Sequence, residues 1–306
     1  MFGLNFKNKR TVYLLLAALL FAVEYIFSIN YTIQIIFFSL GVMLFGIPHG
    51  SLDHFIYHHE RKEEISIQSI IRFLLFYLGF AIIYGFLWVI SAELSILLFI
   101  LISAYHFGEM DLKELSIKIG TSSRLLSFIY GILFLINYLL YQFPQVENII
   151  LSFPGFKQEN VQLLKILFGY QKPIMLTSLL FIPIVLIYLQ ITKQLSSKRM
   201  LAMTQLSALV LLVFNMPILL GFGFYFNIWH AGLSMDEIKK FLGWENKPYL
   251  FIYQKSWLTN TASFAMILIL FFVFQGNLER LLAVFFMAIA ILTAPHMKVI
   301  SSIFSK

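Results

Sequence analysis

The chain has 306 residues, 60% hydrophobic and only 12% charged, against roughly 25% charged in soluble domains. That composition, with a mean hydropathy of +0.85, excludes an ordinary soluble domain and predicts a polytopic membrane protein. Cysteine is absent, which excludes disulfide staples, thiolate-held haem, cysteinyl iron–sulfur clusters and zinc ribbons, so any metal must sit on nitrogen or oxygen.

A membrane-spanning helix needs about 17–25 mostly apolar residues. Taken in order, the apolar runs predict spans at roughly 11–28, 31–48, 68–90, 93–107, 123–142, 173–191, 201–220, 222–234, 257–275 and 279–297. The fold expected is an all-α transmembrane helical bundle of about ten spans (range 8–10), forming one catalytic domain over 1–306. The first run lacks a small-residue cleavage site and reads as a retained span. The fourth and eighth runs are short and end in histidine motifs, as expected of broken helices lining a cavity. Between spans five and six lies a long loop, 143–172, with an amphipathic stretch at Val161–Phe168 suited to the interface.

Charge sets the orientation. With a cytoplasmic N-terminus, only Lys157, Lys165, Lys172 and Arg280 of the 22 basic residues fall outside, the bias expected of cytoplasmic loops. Both termini are then cytoplasmic, in the inner (plasma) membrane. The net charge of +7 is explained by those loops and leaves no motive for a nucleic-acid partner.

The seven histidines carry the chemistry. His49, His106, His230 and His296 end even-numbered spans, so all four fall at similar depth near the cytoplasmic face. Several imidazoles converging from separate helices form a site for iron, zinc or copper. Asp53, Glu109 and Asp111 stand one to five residues from a histidine, placed to accept the second imidazole N–H or to ligate directly. His54 joins them beside the ligands, and so few acids argue against magnesium or calcium. His58 and His59 fall in the run His58-His59-Glu60-Arg61-Lys62-Glu63-Glu64, which reads as a solvated loop. Glu24 reads as interfacial. Gly221-Phe222-Gly223 lacks the third glycine and preceding strand of a dinucleotide loop.

The segments Gly46-Ile47-Pro48-His49-Gly50-Ser51-Leu52-Asp53-His54, Ser103-Ala104-Tyr105-His106-Phe107-Gly108-Glu109-Met110-Asp111, Trp229-His230 and Ala294-Pro295-His296-Met297 resemble the signatures of the Brp/Blh family of membrane β-carotene 15,15′-dioxygenases. The resemblance implies cleavage of the central double bond of β-carotene by O2 at a histidine-bound Fe(2+), giving two retinal molecules, often for an opsin. It places His49, His106 and His230 at ligand positions. The family pattern has a further histidine four residues after the one in Trp229-His230, where this chain has Ser234. That leaves His296 or a water to complete the shell, or an activity shifted to another polyene or lost. Two other classes fit parts of the pattern: a histidine-box desaturase or hydroxylase, prompted by His54-x3-His58-His59, and a proton- or metal-coupled transporter.

Overall fold

The computed structural model describes residues 8–113, 120–273 and 277–304. Among them the chain is all-α, without a strand. Nine helices are long and apolar enough to cross a membrane, and Tyr249–Lys255 with Trp257–Val273, bent by 76°, form a tenth candidate. Lys7, Lys118 and Lys306, counted above for orientation, lie outside the described residues.

Several boundaries differ from expectation, each for a physical reason. The fourth and eighth spans are full length, Ala92–Leu112 and Ile218–Phe241. The apolar windows stopped at Glu109 and Asp236, but these carboxylates take hydroxyl donors from Tyr105 and Tyr249. The second span runs to Arg61 rather than ending at Pro48. Proline removes a backbone donor and crowds the carbonyl four residues back. Here a π-helical turn at Val42–Gly46 precedes Pro48, and the Tyr253 hydroxyl donates to the Leu44 carbonyl. The helix therefore continues, and the run after His54 is helical, with His58 buried. The expected span 201–220 is instead divided near Pro217, which starts the helix Ile218–Gly223 from an extended conformation. The amphipathic stretch in the long loop is helical, Val161–Gly169.

Two compact units are distinguishable. One comprises the described residues of Met1–Gly41, Ala104–Pro144 and Gln162–Leu233. Within it, Gly108 and Gly131 let two helices meet backbone to backbone: a Cβ on Gly108 would sit 1.8 Å from the Ser127 carbonyl oxygen, and one on Gly131 1.8 Å from that of Ala104. Small residues permit this approach in membrane helices, where close van der Waals contact drives association. At the helix end Gln142 Nε2 donates to the Met216 and Phe214 carbonyls at 2.8 and 3.0 Å.

The other unit comprises Val42–Ser103, Gln145–Val161 and the described residues of Ser234–Lys306. Its long helix Leu278–Phe304 packs along Ile67–Ile90 and Asp53–Arg61. Tyr84, Trp88, Ala92 and Ala290 form a buried core there. Glu93 fastens the segment 157–160, accepting from the Lys157 backbone N–H at 3.1 Å and from Asn160 Nδ2 at 2.6 Å.

Candidate metal centre

In the first unit, His106 and His230 lie with their Nε2 atoms 3.0 Å apart. His106 comes from the helix Ala92–Leu112 and His230 closes a π-helical turn, Phe224–His230. Such turns are rare and recur at functional sites, because the extra residue turns side chains out of the regular α-helical register. Aromatic rings wall the pair: Phe107 packs edge-on to His230 at 4.8 Å, and Phe226 stacks on it at 6.1 Å with an interplanar angle of 7°.

The same unit holds the carboxylate of Asp111. It accepts from Trp229 Nε1 at 2.9 Å, from the Tyr225 hydroxyl at 2.8 Å and from the Tyr130 hydroxyl at 3.1 Å. Arg10, expected to be a cytoplasmic loop charge, is instead buried. It donates to the Asp111 carbonyl at 3.3 Å, with its guanidinium 5.3 Å from the Trp229 ring. Tyr130 also lines an apolar cavity of about 470 Å³ with Leu112, Phe134, Val185, Leu206 and Phe214.

In the second unit, Asp53 accepts from His296 Nδ1 at 2.9 Å and from the Tyr77 hydroxyl at 2.9 Å. The His296 ring stands at right angles to that of His49, with centroids 5.0 Å apart. His49 is held one residue after Pro48, just beyond the π-turn pinned by Tyr253.

His49, His106 and His230 are all buried and each offers a ring nitrogen. This three-histidine group could bind a metal. The donor set suits one: three buried imidazoles, with Asp53, Asp111 and Glu109 engaged with other side chains.

The other expected site residues are placed as follows. His296 is outside the three-histidine group but carries the carboxylate partner typical of a metal-bound imidazole. Asp53 accepts from the His296 imidazole and the Tyr77 hydroxyl. Asp111 accepts from an indole and two phenols. Glu109 accepts from Tyr105 of its own helix at 2.5 Å. His54 packs its Nδ1 3.1 Å from the Ser51 carbonyl, and His58 its Nδ1 2.6 Å from the His54 carbonyl, both local helix contacts. His59 packs against Phe241. Ser234 is buried, and its hydroxyl makes no hydrogen bond among the described residues. Sequence reasoning missed Tyr225, Tyr130 and Tyr77, and singled out Trp229 only as part of a signature, without a role of its own.

No curated protein and no solved structure matches the chain. The model of the family described as β-carotene 15,15′-dioxygenase matches residues 40–304, which include every histidine of the chain. With that match over most of its length, the chain belongs to the β-carotene 15,15′-dioxygenase family.

Proposed function

We propose that this protein cleaves the central double bond of β-carotene with O2, giving two all-trans-retinal molecules. The observation that carries the reading is the buried group of His49, His106 and His230, in a chain whose family acts on β-carotene. In the reaction the C15–C15′ double bond breaks and each carbon takes one oxygen atom of O2.

The metal proposed is Fe(2+), held by His49, His106 and His230 with His296 as a fourth ligand. Bound there, it would supply the dioxygen chemistry that organic side chains lack. The chain's own residues do the rest. Asp53 and Tyr77 hold the His296 imidazole in one tautomer, with Nδ1 protonated and Nε2 available as a donor to metal. Phe107 and Phe226 fix the His230 ring and keep water from it. The substrate is a hydrocarbon about as long as the bilayer's ~30 Å core, so it enters sideways from lipid. Which double bond is cut then depends on where apolar walls place the polyene.

The placement proposed is a single catalytic domain in the inner (plasma) membrane, with both termini and the metal site toward the cytoplasm, as the basic residues favour. Retinal would pass to an opsin in the same bilayer. Expression in a β-carotene-producing bacterium tests the reaction: colour should fade as retinal accumulates. Loss of colour with longer apocarotenals instead would overturn central cleavage, and unchanged colour with the protein present would overturn the activity.

A further inference from the structure

Asp111 is only 1% exposed, and a carboxylate so buried is costly unless its oxygens are hydrogen-bonded. Its three donors come from two places: Tyr130 on the helix Gly120–Tyr141, and Tyr225 and Trp229 within the π-turn that ends in His230. Tyr225 and Trp229 are four residues apart, so the two ends of that turn are tied to one side chain. The turn cannot roll about its axis without breaking both bonds at once. Arg10 adds a second restraint, with its guanidinium over the Trp229 ring. Charge-assisted bonds of this kind are about twice as strong as neutral ones.

We propose that Asp111 is the positioning residue for His230: through Trp229 and Tyr225 it sets the roll of the turn Phe224–His230 and so the aim of the His230 imidazole. Asp111 follows His106 by five residues on the helix Ala92–Leu112. One rigid element therefore carries one imidazole and anchors the segment that carries the other, which fixes their 3.0 Å separation. The carboxylate acts on the ligand's neighbour rather than on the ligand's own N–H. This inference rests on the reading of His106 and His230 as metal ligands.

The test titrates metal-free protein in detergent with cobalt(II), whose visible absorption reports ligand geometry, and follows tryptophan fluorescence before metal is added. Asp111→Asn should weaken cobalt binding by about 10–100-fold, the usual effect of losing an outer partner. The saturated variant should show a displaced visible band, and the metal-free variant a changed Trp229 emission, identified against Trp229→Phe. Trp229→Phe, which keeps a ring but loses the donor, should give a smaller loss in the same direction and serves if Asp111→Asn fails to fold. Wild-type affinity and an unshifted band in both variants would overturn the clamp. If the unmodified protein binds no cobalt, the ligand reading fails and the clamp's purpose falls with it.

Discussion

Asp53 and Asp111 are both buried aspartates a few residues after a candidate metal ligand, and from the sequence they had the same expected task. Asp53 accepts a hydrogen bond from an imidazole Nδ1 at 2.9 Å. Asp111 touches no imidazole and instead holds the indole next to one. The difference follows from local geometry. Asp53 begins a helix whose neighbour Leu278–Phe304 presents His296 to it. Asp111 lies near the end of Ala92–Leu112, among hydroxyl and indole donors. A carboxylate near a histidine in sequence thus does not say which side chain it will hold.

The comparison can be broken outright by removing the ligands. His106→Ala and His230→Ala should each reduce bound iron, measured by elemental analysis of purified protein, to below about a tenth per chain; near-stoichiometric iron in either would remove the metal centre from the first unit. Asp53→Asn comes next, with iron retention expected to fall about 10–100-fold in affinity. Unchanged retention would make His296 a structural histidine and leave Asp111 alone as an outer partner. Gly108→Ala sharpens the other side. The added methyl meets the Ser127 carbonyl, so the helix bearing His106 and Asp111 must shift, at a cost of about 1–3 kcal/mol read as a lowered melting temperature. An unaffected melting temperature would mean that this contact gives way easily. The smallest effect belongs to Tyr77→Phe, which removes one hydrogen bond worth about 1 kcal/mol while Asp53 keeps His296. A loss of iron as large as that of Asp53→Asn would show that the phenol, not the carboxylate, governs the imidazole.

Much of the fold was legible because hydropathy is a property of composition. The number of spans survives small local errors, and His49, His106 and His230 stand out as polar groups in apolar runs. The helix ends were not legible. Glu109 and Asp236 look like the edge of a membrane segment until their tyrosine partners are known, and Pro48 looks like a stop until Tyr253 reaches the carbonyl it frees. Arg10 reads as a loop charge because nothing nearby in sequence announces Asp111, a hundred residues away. The Asp111 clamp is assembled from four stretches of chain with no shared spacing, so no local pattern could encode it. The two π-turns were likewise not legible in the sequence.

Those turns carry a consequence for how such a protein could change over generations. A π-turn is an α-helix with one residue inserted, so losing a single codon from Val42–Gly46 or Phe224–His230 would restore regular winding. Regular winding would re-aim the side chains carried by the turn itself, Tyr225, Trp229 and His230 among them. Deletions of one residue there should silence the protein while leaving its span count untouched.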